Sequence, residues 1–267
     1  MTKEYLENRT WWDEVTPVHV KAPSYGVEEF LAGATSLRPI ELQALPDVRG
    51  KSLLHLQCHF GQDTLSWARR GAKVTGVDFS PQAIKVAQDL ATKINQPEAR
   101  FLCADIMHLD QHLHERFDIV FTSYGVLNWL PDIKRWGQMV ARYLKPGGTF
   151  FMAEVHPFSM MFDNDQKELR LTYEYFFAGK PIVDAGSGND YADPSYKTRS
   201  KTYEWPWTLT EIYHALQDAG LKIEEMREYP VSCYQAFPAL IPLPDRMWGW
   251  PDGSVRLPLL FSIKAKA

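Results

Sequence analysis

Between residues 52 and 155, short apolar runs alternate with longer stretches whose apolar positions recur at helical spacing. An unbroken apolar run reads as a strand buried on both faces, and the periodic stretches read as the helices that cover it. The pattern predicts strands at 52–58, 72–78, 99–104, 117–122 and 148–155, with helices at 62–70, 81–94 and 132–144. Local signals agree with these limits. Ser80-Pro81 puts a capping hydroxyl before a proline at the first helical position, and Lys145-Pro146-Gly147-Gly148 stops a helix and turns the chain into a strand. Strand and helix in alternation imply βαβ units and a mostly parallel sheet.

Outside this core the rhythm changes. Residues 1–45 predict two helices separated by Lys21-Ala22-Pro23-Ser24-Tyr25-Gly26, and form an N-terminal cap on a core at 50–155. Residues 156–207 are rich in Tyr, Phe, Asp and Gly and include the flexible run Asp184 to Asp190, which reads as a partly mobile insertion, a lid over the sheet edge. In residues 208–267, Thr208-Leu209-Thr210-Glu211 opens a helix that stops at Gly220, and strands at 221–229 and 256–264 flank a proline-rich connection. The whole chain reads as one domain. The expected architecture is α/β: a Rossmann-like, doubly wound, seven-stranded sheet, mostly parallel with its last strand antiparallel. There is no internal repeat or low-complexity tract.

A chain of 267 residues is long enough to bury about 70–75% of its unfolded surface without staples. Its net charge of −4 and scattered basic residues exclude the basic face of a nucleic-acid binder. Cys58, Cys103 and Cys233 are odd in number and widely spaced, and two of them lie in runs that read as buried strands, so no disulfide framework is expected. No stretch of eighteen apolar residues occurs and the first residues are polar and acidic, which reads as a cytoplasmic protein without a membrane partner. The oligomeric state is not legible.

In an open parallel sheet, ligands bind beyond the carboxyl ends of the strands. The strand ends nominate Gln57, Cys58, His59, Gly61, Asp63 and Thr64, then Asp78, Phe79 and Ser80, then Asp105, Ile106 and Met107, and Ser123 with Asn128. Asp78 ends an apolar strand twenty-one residues after Gln57, where a carboxylate accepts both hydroxyls of a ribose; its plainer reading is a turn acid. Asp105 is placed to accept from an adenine amino group, and Gly61 permits close approach of the backbone.

These residues resemble the class I S-adenosylmethionine-dependent methyltransferases. Leu53 to Gly61 matches that family's first strand and turn, Val74 to Ser80 its ribose acid, Ala104-Asp105-Ile106 its adenine-side acid, and Phe117 to Val120 its fourth strand. Leu144-Lys145-Pro146-Gly147-Gly148 matches the turn before its fifth strand. The run LHLQCHFGQDTLSWARRGAKVTGVDFS is similar to a subgroup of bacterial members with generic names. The resemblance covers about residues 50–155, and it implies S-adenosyl-L-methionine as cofactor and a methyl acceptor as partner. Two departures stand out: His55 occupies the place of an acid, and Gln57 and His59 occupy the places of two glycines. The competing readings are a non-catalytic cofactor-binding protein and an NAD(P)-dependent oxidoreductase, although the latter's G-x-G-x-x-G is missing from Gln57 to Asp63.

Methyl transfer needs alignment first, and a base only when the acceptor loses a proton. His156 after the fifth strand and His19 in the cap, beside Tyr25, are the candidate bases. His108, His112 and His114 read as solvated, so no metal site is assigned. The aromatic residues outside the core, among them Trp12, Tyr25 and Trp205, predict an enclosed apolar pocket, lined also by Asn128, for a small acceptor with O or N as the methylated atom.

Overall fold

The computed structural model describes residues 2–163, 168–186 and 188–267; Ser187, within the run expected to be flexible, lies outside them. The N-terminal part holds three helices rather than two: α1 (Lys3–His19), α2 (Val27–Leu31) and α3 (Pro39–Ala44). The expected break forms a 3₁₀ turn at Pro23–Tyr25 that ends on Gly26 in the left-handed region.

The core follows as β1 (Ser52–Leu56), α4 (Gln62–Arg69), β2 (Lys73–Asp78), α5 (Pro81–Lys93), β3 (Arg100–Cys103), β4 (Phe117–Ser123), α6 (Ile133–Tyr143) and β5 (Leu144–Val155). Then come β6 (Ile182–Asp184), β7 (Thr202–Glu204), α7 (Leu209–Asp218), β8 (Lys222–Tyr229), β9 (Val231–Ser232), β10 (Ile241–Leu243), β11 (Met247–Gly249) and β12 (Leu260–Lys266). The main sheet has seven strands in the order β3-β2-β1-β4-β5-β12-β8. Strand β12 runs against both its neighbours, as expected of the last strand.

Period-two alternation distributes the apolar side chains between two layers. Leu54, Leu56, Val120, Phe150, Met152, Phe261 and Ile263 pack with α6 and α7 on one face. Leu53, Val74, Ile119, Phe121, Phe151 and Leu260 pack with α3 and Trp67 on the other. The strand order runs from β1 through β2 to β3 on one side and returns to β4 and β5 on the other, which makes the gap between β1 and β4 the topological switch point.

Three elements differ from the pattern's forecast. β5 begins at Leu144, before the glycines, because Leu144 already pairs with Phe117 and a register shift in the ladder absorbs the turn. β12 begins after Pro258, at Leu260, rather than at 256. The proline-rich connection contains a small antiparallel sheet, β10-β11-β9, whose strands are too short to show a period. Cys103, expected to be buried, ends its strand in an exposed position. Among the described residues, no helix is long and apolar enough to cross a membrane.

Candidate active site

The chain leaves β1 through a turn in which Gln57, His59 and Gly61 have φ of +56°, +50° and +77°. A glycine-rich loop uses glycine for this left-handed alternation; here two of the three positions adopt it with side chains, at about 1–2 kcal/mol each. The turn is held by what surrounds it. The Gln57 amide Nε2 donates to the Val126 carbonyl at 2.8 Å, the Cys58 N–H to the Val77 carbonyl at 2.9 Å, and the His59 N–H to Asp78 Oδ2 at 2.8 Å. Gly61 has no room for a side chain, because a Cβ there would lie 2.6 Å from the Phe101 ring and 2.9 Å from Ala87 Cβ.

The loop after β4 is fixed by Glu154, a buried carboxylate at the end of β5. It accepts the amides of Gly125, Val126 and Leu127, and burial raises its pKa despite those donors. His55 sits behind the turn with Nδ1 2.8 Å from the Thr64 hydroxyl and Nε2 3.4 Å from Ser123 Oγ. Ser123 donates onward to Asp63 Oδ2 at 3.0 Å. Burial pushes the His55 pKa down to about 4, so the ring is neutral at pH 7, and Asp63 from α4 brings a carboxylate to the cavity wall beside it. Asp78 is 8% exposed, and burial raises its pKa to about 6 against the pull of the Ser80 and His59 amides.

These groups open onto a cavity of about 1410 Å³ beyond the carboxyl ends of β1, β2 and β4. The N-terminal helices and the segment 156–207 cover it together. Asn8 of α1 pairs through both ends of its amide with the backbone of Tyr203, at 2.7 and 2.8 Å, and Glu14 accepts the amides of Arg199 and Ser200.

The sequence family described as "Methyltransferase domain" matches residues 54–152. A curated relative, the ubiquinone biosynthesis O-methyltransferase of Paracidovorax citrulli, is 30% identical over 149 residues, which is 55% of this chain and 57% of that protein. The protein of the same name from Coxiella burnetii is 32% identical with the same coverage. The chain therefore spans little more than half the length of the curated relatives it matches. A solved S-adenosylmethionine-dependent methyltransferase from Mesorhizobium loti superposes with a TM-score of 0.60 at 21% identity, covering 89% of this chain and 100% of that one. The fold is that of the class I S-adenosylmethionine-dependent methyltransferases, as the motifs from Leu53 to Gly148 implied.

The cavity suits that cofactor on two observations. Gln57 Oε1 and His59 Nε2 are buried without any partner, at the turn that the resemblance assigns to the amino-acid end of the cofactor. Each Asp78 oxygen accepts a backbone N–H, at 2.8 and 2.9 Å, and a carboxylate has further lone pairs for ribose hydroxyls.

Of the residues nominated from sequence, Gln57, Cys58, His59, Gly61, Asp63, Asp78, Phe79, Ile106 and Ser123 line the cavity, as do Trp12, Tyr25 and Asn128. Others do not. Thr64 lies behind the wall on His55, and Ser80 caps α5 while its hydroxyl donates to Asp13 at 2.6 Å. Asp105 accepts from the Met107 amide and pairs with His108 at 2.8 Å, facing a separate shallow pocket with Arg9. The Met107 side chain packs into the core under α6. Trp205 is buried, and its backbone N–H donates to the carbonyl of Asn128 in the cavity wall at 2.7 Å.

His156 is turned away from the cavity: Nε2 bonds Glu228 at 2.8 Å and Nδ1 accepts the Phe158 amide at 3.1 Å, so neither nitrogen is left for an acceptor. His19 is fully buried behind Tyr25. Sequence reasoning missed Asp190 and Tyr191. Both sit in a turn-rich segment with no period, and their neighbours in space mark them out.

Proposed function

We propose that the chain is an S-adenosylmethionine-dependent methyltransferase that acts on an oxygen or nitrogen of a small molecule held in the aromatic-lined cavity. The observation that carries this reading is the turn after β1, which keeps left-handed backbone at residues 57, 59 and 61 and is bonded to Asp78. Asp78 would hold the ribose, and Gln57 Oε1 and His59 Nε2 would meet the polar amino-acid end. When bound, the cofactor supplies an electrophilic methyl group on a sulfonium.

The protein's own contribution is alignment and exclusion of water. Trp12, Trp129, Tyr25 and His59 pack edge to face around one side of the cavity, with Trp12 and His59 centroids 5.0 Å apart. Asn128 donates to Glu204 at 2.9 Å on another side. Small-molecule pockets span roughly 300–1,000 Å³. At about 1410 Å³ this cavity has room for a cofactor and an acceptor together, which favours catalysis over cofactor binding alone. The cap and the segment 156–207 act as its lid. The relatives' name, O-methyltransferase, favours oxygen as the methylated atom.

The test is transfer of an isotope-labelled methyl from S-adenosylmethionine to a panel of small phenols, carboxylates and amines, read by mass spectrometry. A labelled product supports the reading. Tight cofactor binding with no product from any acceptor supports a binding protein instead.

A further inference from the structure

Four side chains form a line from the buried end of α1 to the cavity wall. Asp190, 1% exposed, has Oδ2 2.9 Å from His19 Nε2, while its Oδ1 accepts the amides of Ala192 and Asp193. His19, with no exposed surface, has Nδ1 3.2 Å from the Tyr25 hydroxyl. The Tyr25 hydroxyl in turn meets the Tyr191 hydroxyl. Tyr25 and Tyr191 both line the cavity, and the 52% of Tyr191 that is open faces a space walled by protein. A further polar neighbour of the imidazole is His59, whose ring centroid is 5.4 Å away.

The donors in this line are fixed by elimination. A carboxylate only accepts, so His19 Nε2 carries a hydrogen and, in the neutral ring, Nδ1 is the acceptor. Tyr25 has one proton, which goes to Nδ1, so its oxygen accepts the proton of Tyr191. That leaves a lone pair of Tyr191 for a donor in the cavity. Every hydrogen points inward, toward the carboxylate.

We propose that Tyr191, Tyr25 and His19 form a one-way proton relay that deprotonates a hydroxyl acceptor, with Asp190 as the positioning residue behind it. The proposal rests on the methyl-transfer reading and narrows its acceptor to an O–H group. In the step, an oxygen lone pair forms the new O–C bond, and the methyl–sulfur bond breaks with its electron pair retained by sulfur. The acceptor's proton passes to Tyr191, that of Tyr191 to Tyr25, and that of Tyr25 to His19 Nδ1, leaving an imidazolium beside the Asp190 carboxylate. Desolvation against the cavity wall holds both phenols above their ordinary pKa, so they stay protonated and pass protons in concert rather than acting as phenolates. Two members come from the N-terminal part and two from the segment 156–207, so the relay exists only when those parts are docked.

The test reads the imidazole directly, by long-range proton–nitrogen NMR of the full chain labelled in histidine. The expected spectrum shows His19 protonated at Nε2, with an Nδ1 resonance that moves toward that of an unbonded ring nitrogen in Tyr25→Phe. An Nδ1-protonated ring, or an Nδ1 indifferent to Tyr25→Phe, overturns the relay. With catechol as the hydroxyl probe, Tyr191→Phe lowers kcat by about a hundredfold or more, with KM and calorimetric affinity for S-adenosylmethionine unchanged. Wild-type kcat in Tyr191→Phe overturns the relay. If the wild-type chain binds no S-adenosylmethionine, the methyl-transfer reading fails, and the imidazole spectra still decide whether the line of hydrogen bonds exists.

Discussion

The backbone N–H of His59 donates to Oδ2 of Asp78 at 2.8 Å, fastening the turn after β1 to the tip of β2. The acid that the sequence marks as a ribose ligand is therefore also what holds a side-chain-bearing residue in the left-handed region, with φ of +50°. The proposed cofactor site and the turn conformation share one carboxylate.

The charge state of that carboxylate should set the pH dependence of cofactor binding. Burial raises the Asp78 pKa to about 6, so the group is protonated below that pH and ionised above it. A protonated carboxyl is the poorer acceptor for hydroxyls, so affinity for S-adenosylmethionine should weaken as pH falls through about 6. The same shift favours folding at low pH, and that share of stability is lost as pH rises toward 6. Calorimetry at about pH 5 and about pH 7.5, on either side of that value, checks the first statement; equal affinities would contradict it.

Glu41 gives a second pH effect, on stability alone. It is fully buried, accepts the Tyr124 hydroxyl at 2.7 Å and the Arg38 amide at 2.8 Å, and burial pushes its pKa up to about 8. Its folded pKa lies above the unfolded one, so stability falls as pH rises from about 4.5 to about 8, by about 1.4 kcal/mol per pH unit for one proton. Glu41→Gln should remove this slope. Urea denaturation of both proteins at about pH 5.5 and about pH 8 measures it, and parallel pH profiles would contradict it.

Gly61→Ala should destabilise the fold by about 2–4 kcal/mol, combining overpacking with the left-handed backbone. The overpacking comes from the Phe101 ring, 2.6 Å from the added Cβ, so Phe101→Leu in the same chain should restore part of the loss. Thermal unfolding of the single and double variants tests this. No rescue would assign the whole effect to the backbone.

Asn8→Ala removes both bonds to the backbone of Tyr203 and should cost about 1–3 kcal/mol locally. Hydrogen exchange should rise at residues 199–204 while β1 and β4 stay protected. Uniform exchange across the chain would show that the N-terminal part and the segment 156–207 do not open as a unit.

The sheet was legible because β1, β2, β4 and β5 are largely buried and so appear as apolar runs ending at Gln57, Asp78, Ser123 and Val155. Asp78 was legible for the same reason, as an acid at the tip of an apolar strand. The turn itself was not, because nothing in Gln57-Cys58-His59 announces left-handed backbone; tertiary bonds to Val126, Val77 and Asp78 impose it. β9, β10 and β11 are too short to show alternation. Asp190 lies 171 residues from His19, and their pairing is visible only in space. His156 stands at the expected strand end, yet the residue that decides its role is Glu228 on β8.

Whether the turn at 57–61 and Asp78 together bind S-adenosylmethionine is tested most directly by calorimetric titration of the wild-type chain and of Asp78→Ala, with S-adenosylmethionine and with NAD. Saturable binding of S-adenosylmethionine alone is predicted, and it is lost in Asp78→Ala. Binding of NAD but not S-adenosylmethionine, or unchanged affinity in Asp78→Ala, would contradict it.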